Sequence, residues 1–111
     1  MAITVINQPG PLPITKSFDA PSDDEMLLFI SGSVYSNTEN SWVSVVVLLD
    51  GQALGALWLF CNFAYSHQAL VPTMIPITTT FGEHTITLQV NSGYSNTISD
   101  GNDVYNVTLM Y

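Results

Sequence analysis

Trp42-Val43-Ser44-Val45-Val46-Val47-Leu48-Leu49-Asp50-Gly51-Gln52-Ala53-Leu54-Gly55-Ala56-Leu57-Trp58-Leu59-Phe60 decides the fold. β-Branched, aliphatic and aromatic residues fill Trp42 to Leu49 and Leu54 to Phe60, and such side chains suit a pleated, packed surface. The Asp50-Gly51 pair between them suits a tight turn that reverses the chain within two residues. The stretch reads as a β-hairpin.

Working outward, the same signals recur. Met26 to Val34 is an apolar run ending in Ser31-Gly32-Ser33 and Val34, and Gln68 to Val71 and Met74 to Thr79 read as shorter strands separated by Pro72. Gly82-Glu83-His84 turns into Thr85 to Val90, where Ile86, Leu88 and Val90 share one face and Thr85, Thr87 and Gln89 the other. That alternation marks a half-buried strand with a wet side. A polar loop from Asn91 to Asp103 leads to a last strand, Val104 to Tyr111. No window shows helical amphipathicity, and there is no internal repeat.

A chain of 111 residues is long enough to close one two-layer core and too short for a second. The expectation is an all-β, single-domain antiparallel jelly-roll-type β-sandwich over residues 21–111. Pro9-Gly10-Pro11-Leu12-Pro13 interrupts pairing, because proline lacks an amide donor. Residues 1–20 therefore read as an extended N-terminal arm, followed by an acidic turn at Asp19 to Glu25.

Composition narrows the partners. Hydrophobic residues make up 47% of the chain and charged residues only 9%, with Lys16 the sole cation and a net charge of −8. Phosphate backbones and anionic lipid surfaces are gripped by clustered Lys and Arg, so neither nucleic acid nor a membrane surface is an expected partner. No run reaches the ~18 apolar residues of a membrane span. Met1-Ala2-Ile3-Thr4 shows no secretory signal pattern, and the compartment stays open. Cys61, alone in the chain, can form no intrachain disulfide and reads as a buried, inert thiol. The sequon at Asn106-Val107-Thr108 falls inside a predicted strand, which argues against a glycan there.

Two strands look apolar on both sides. Val43, Val45, Val47 and Leu49 oppose Val46 and Leu48; Tyr105, Val107, Leu109 and Tyr111 oppose Val104 and Met110. A sandwich gives each sheet one inner face, so the second apolar face needs its own cover. Another copy of the chain would supply it, as would the N-terminal arm folded back.

Several of these segments resemble the trimeric jelly-roll heads of the tumour necrosis factor and C1q type, in their bacterial and phage versions. The residues carrying the resemblance are Met26 to Ser33, Val45 to Gly51, Gly82 to Gln89 and Tyr105 to Tyr111. The resemblance implies a homotrimer whose final strand lines the threefold axis. It also implies loops that form a binding face, as in sugar-binding lectins of that architecture.

Chemistry-bearing clusters are few. His67 and His84 are the only histidines, and neither sits in a spacing that assembles a nucleophile, base and orienting acid. No zinc-ligand cluster or phosphate-cradling glycine loop is present. Asp100-Gly101-Asn102-Asp103 packs oxygen donors into a turn, which leaves calcium open although no cofactor is expected. Two loops combine an aromatic ring with amides and carboxylates, the groups that stack on a sugar ring and pair with its hydroxyls. The first offers Tyr35, Asn37, Glu39 and Trp42; the second offers Tyr94, Asn96, Asp100, Asn102 and Asp103. Tyr65 and His67 form a third, smaller candidate, whereas Trp58 reads as core or interface. The reading is a non-enzymatic carbohydrate- or receptor-binding module, presented multivalently on a homo-oligomer with a trimer favoured. The alternative is a structural subunit, fibre, coat or capsid-associated, with no small-molecule ligand.

Overall fold

A computed structural model describes residues 1–111. Ten strands account for its regular structure: β1 (Ala2–Pro9), β2 (Ile14–Ala20), β3 (Met26–Ser36), β4 (Ser41–Leu49), β5 (Gln52–Cys61), β6 (Gln68–Ala69), β7 (Thr73–Ile77), β8 (Gly82–Val90), β9 (Thr97–Ile98) and β10 (Val104–Met110). They form two antiparallel sheets packed face to face. The first runs β1-β10-β3-β6, with β7 and β9 also paired to β3; the second runs β2-β8-β4-β5. This is the all-β sandwich that the sequence predicts.

The deciding hairpin forms as read. Asp50 and Gly51 take φ of 50° and 81°, the left-handed pair that lets a two-residue turn follow the strand twist. A bulge between Val47 and Leu48 sets Leu48 opposite Ala53 and Val47 opposite Gly55. The extra residue, Leu54, bends β5 locally.

The first twenty residues are not a free arm. β1 pairs with β10 and β2 pairs with β8, so this segment gives one strand to each sheet. The prolines are confined to the corner at residues 9–13, where the chain crosses between sheets, and to the edge strands beside it. A bulge between Thr4 and Ile6 puts Ile3 opposite Leu109 and Ile6 opposite Val107.

The core lies between the sheets. Ile6, Leu28, Ile30, Val34, Tyr105, Val107 and Leu109 meet Ile14, Phe18, Val43, Val45, Val47, Leu57, Ile86 and Leu88, all buried. β10 is thereby one-sided: Tyr105, Val107 and Leu109 are spent on the chain's own core, and Val104, Asn106, Thr108 and Met110 face out. Of the final strand expected to line a threefold axis, only Val104 and Met110, with Tyr111 just beyond its end, are apolar side chains left outside the core, and Asn106 and Thr108 lie between them. Cys61 is buried, and burial pushes its thiol pKa up.

Candidate functional site

The outward set of the second sheet is aromatic. Across the β4–β5 ladder Trp42 faces Phe60 and Ser44 faces Trp58, on the side opposite Val43, Val45, Leu57 and Leu59. Trp42 is 52% and Trp58 38% exposed. The Trp42 ring meets Phe60 at 5.3 Å and Trp58 at 6.3 Å between centroids, both edge to face. Such pairs contribute ~0.5–1.5 kcal/mol beyond their buried area.

The loop after β8 supplies the third wall. Ser44 N–H donates to Thr97 Oγ1 at 3.0 Å, and the Asn91 backbone N–H donates to the Ser44 carbonyl at 3.1 Å. These bonds hold the loop across the start of β4 and bury Ser44. Turn bonds from Tyr94 N–H to the Asn91 carbonyl and from Thr97 N–H to the Tyr94 carbonyl then fix Tyr94. Its ring stands edge to face with Trp58, 4.9 Å away at 88°. Trp42, Trp58 and Tyr94 together line a cleft of ≈ 360 Å³ with no charged group in its wall. Since no pair stacks face to face, ring surface stays open to a flat apolar partner.

Asn96 braces this arrangement. Its side-chain amide donates to Ser36 Oγ (3.0 Å), Ser41 Oγ (3.1 Å) and the Trp42 carbonyl (3.0 Å), tying the loop to β3 and β4. An amide so engaged positions its neighbours.

A second cluster gathers around His67. Asp103, fully buried, accepts from His67 Nδ1 at 2.7 Å and Ser33 Oγ at 3.1 Å through Oδ1, and from Asp100 N–H at 2.9 Å through Oδ2. His67 Nε2 is left 3.8 Å from Asp100 Oδ2. The Asp103 carboxylate beside the imidazole raises the His67 pKa above its ordinary 6.5, against a smaller opposing effect of burial. Tyr35 packs its ring 4.5 Å from His67 and 6.1 Å from Tyr65. Close by, Tyr105 hydroxyl shares a 2.7 Å hydrogen bond with Ser99 Oγ, and burial pushes the phenol pKa far up.

His67, Asp100 and Asp103 bring three ligand atoms within 4.8 Å, a spacing at which a cation can be held. The donor set suits calcium poorly. Calcium takes six to eight oxygens, whereas both Asp103 oxygens already accept hydrogen bonds and Asp100 Oδ1 accepts from Asn102 N–H at 2.8 Å. A calcium ion would have to displace them.

The structure thus divides the residues expected at the site. Trp42 and Tyr94 meet in the cleft, with Asn96 behind them. Tyr35, Asp100 and Asp103 assemble instead around His67. Asn37, Glu39 and Asn102 are exposed on the surrounding loops. Trp58 is the residue that the sequence reading leaves out. Its signal was parity: Leu57 and Leu59 point inward, so Trp58 and Phe60 point out.

No protein-family model and no curated protein matches the sequence. Solved structures do resemble the chain. A family 35 carbohydrate-binding module from an environmental isolate is 16% identical, with a TM-score of 0.57 over 96% of this chain and 68% of that one. The CBM36-1 domain of a multidomain xylanase from the hindgut metagenome of Trinervitermes trinervoides is 13% identical, with a TM-score of 0.52 over 100% and 98%. The C-terminal domain of the sugar-binding protein EclA is 15% identical, with a TM-score of 0.50 over 96% and 73%. The chain therefore has the jelly-roll sandwich found in carbohydrate-binding modules. These likenesses narrow the resemblance to tumour necrosis factor and C1q heads to the jelly-roll architecture itself.

Proposed function

We propose that the chain is a non-enzymatic carbohydrate-binding module that takes neutral saccharides in the Trp42–Trp58–Tyr94 cleft. One observation carries the reading: three aromatic side chains from two adjacent strands and a braced loop converge on an open cleft, two exposed and one half-buried, without a charge among them. An exposed aromatic surface is unfavourably hydrated, and a pyranose C–H face covers it at low cost to the sugar's hydroxyls. The sandwich below keeps the rings in place before the ligand arrives, so little ordering is needed on binding. The shared fold with carbohydrate-binding modules supports the same reading, as analogy.

Affinity electrophoresis through gels containing neutral xylans or glucans tests it. Retarded migration in a neutral polymer, lost in Trp58→Ala, is expected. Equal migration in every gel would remove the reading.

Self-association is a second reading, favoured by the exposure of Trp42, Trp58 and Phe60 on one face. It keeps the expected homo-oligomer, now through the second sheet rather than the final strand. Multivalent presentation would raise avidity without new contacts. Sedimentation at rising concentration separates the two: a constant monomer mass leaves the face free for ligand, and a growing mass that Trp58→Ala abolishes assigns it to a partner copy.

A further inference from the structure

The His67 cluster has the features of a built site that the cleft does not use. Three separate segments converge on it: β3 brings Tyr35 and Ser33, the 62–67 loop brings Tyr65 and His67, and the 99–103 turn brings Asp100 and Asp103. Backbone bonds stitch these loops together, with Tyr65 N–H donating to the Ser36 carbonyl at 2.7 Å and Asn37 N–H to the Asn96 carbonyl at 3.1 Å. Tyr35 belongs with Leu27 and Phe29 to the outward set of β3. The cluster therefore flanks the first sheet, while the aromatic cleft flanks the second.

Its chemistry differs from the cleft's. Asp103 is buried and all its partners are internal, so its task is to orient. With a carboxylate oxygen as partner, Nδ1 of His67 carries the proton in the neutral ring, and above the raised pKa of that ring Nε2 presents a lone pair to solvent. Asp100 Oδ2 lies 3.8 Å away and is the one oxygen of the two carboxylates with no hydrogen-bond donor. Two acceptors side by side call for two donors at matching separation. Neighbouring hydroxyls on a sugar ring provide them, each free to turn its hydrogen inward. An anionic ligand would instead meet a carboxylate and a lone pair. Tyr65, 71% exposed and held at φ 60°, stands beside Tyr35 and offers an apolar ring to the same sugar.

We propose that Tyr65, His67 and Asp100 form a second saccharide site, which binds the vicinal diol of a neutral sugar, on the opposite flank from the aromatic cleft. This rests on the carbohydrate-binding reading above and adds a second, polar contact point for the same kind of polymer. A chain with two sites can grip two strands of a polysaccharide, or one strand twice.

The test is an NMR titration of the intact protein with xylohexaose and cellohexaose. Two sets of signals are expected to move: the indole N–H groups of Trp42 and Trp58, and the amides of Tyr65, His67 and Asp100. Asp100→Asn keeps Oδ1 for the turn bond from Asn102 N–H but replaces the free acceptor with a donor. It should weaken the second set at least about tenfold and leave the indole shifts unchanged; His67→Gln should do the same. Movement of the indole set alone, or full binding at both sets in Asp100→Asn, overturns the second site and leaves the cleft standing. Loss of the second set on adding EDTA overturns direct diol contact in favour of a bridging metal ion. If neither set moves with any neutral oligosaccharide, both readings fall together.

Discussion

Trp58 and Tyr94 meet edge to face, 4.9 Å apart at 88°, one from the outer face of a strand and the other from a polar loop. Strand pairing fixes Trp58, and the Asn91–Thr97 turn fixes Tyr94. Trp58→Ala or Tyr94→Ala should each lower affinity for a neutral polysaccharide at least about tenfold, roughly 1.4 kcal/mol. Both rings lie outside the core, so the unfolding midpoint should shift less than for Leu57→Ala. Isothermal calorimetry and thermal melts on the same preparations check both halves.

Asn96 is not among the residues lining the cleft, yet its amide holds the loop to Ser36, Ser41 and the Trp42 carbonyl. Asn96→Ala removes three hydrogen bonds, although Ser36 Oγ keeps the Thr38 N–H as a donor, at a cost of about 1–3 kcal/mol. The expected result is a less stable protein with slackened binding, and faster hydrogen exchange confined to residues 91–97. Unchanged exchange there would mean that Ser44 and Thr97 suffice to hold the loop.

Leu109 belongs to the interior of a single copy. Leu109→Ala should destabilise the fold by about 2–5 kcal/mol, as deletion of a buried large side chain does. Denaturation should show this cost at every protein concentration. A concentration-dependent loss would place Leu109 in a subunit interface instead.

His84 bridges two turns at the other end of the sandwich. Nδ1 lies 2.5 Å from Asp50 Oδ2, and Nε2 lies 2.7 Å from the Thr80 carbonyl. Both acceptors lack a proton to give, so this arrangement favours the protonated ring, in which both nitrogens donate. The Asp50 hydrogen bond, then the Thr80 carbonyl, raises the His84 pKa above 6.5. Burial alone would raise the Asp50 pKa, but the Thr85 N–H and His84 outweigh it and hold the pKa below 3.8. A raised histidine stabilises fully below its unfolded value and ceases to as pH climbs through the folded one. A lowered carboxylate stabilises above its unfolded value and ceases to as pH falls through the folded one. Urea stability should therefore be higher at about pH 6 than at about pH 9, and the difference should shrink in His84→Gln.

Much of this was legible in the residues. The β4–β5 hairpin and the alternation of β8 read correctly, because local pattern and turn chemistry agree there, and the loop aromatics Trp42 and Tyr94 singled out in the sequence line one cleft. β1 and β2 did not read as strands. A bulge at Val5 breaks the period, placing Ile3 and Ile6 on one face, and the nearby prolines looked like interruptions rather than a corner. β10 misled in the other direction: Val104 and Met110 at its ends suggested a second apolar face, while Asn106 and Thr108 between them leave it mixed. The His67–Asp103 contact joins residues far apart in the chain, and only the folded sheet could bring them together. Trp58 needed parity within its own strand to be weighed above its apolar neighbours.

Both tryptophans of the chain, Trp42 and Trp58, line the cleft. Selectively excited tryptophan emission therefore reports on the proposed site. On titration with a neutral xylo- or gluco-oligosaccharide, tryptophan emission should shift and become shielded from acrylamide, saturating with the calorimetric isotherm. Saccharide binding that leaves emission and quenching untouched would contradict the aromatic cleft as the place where sugar is held.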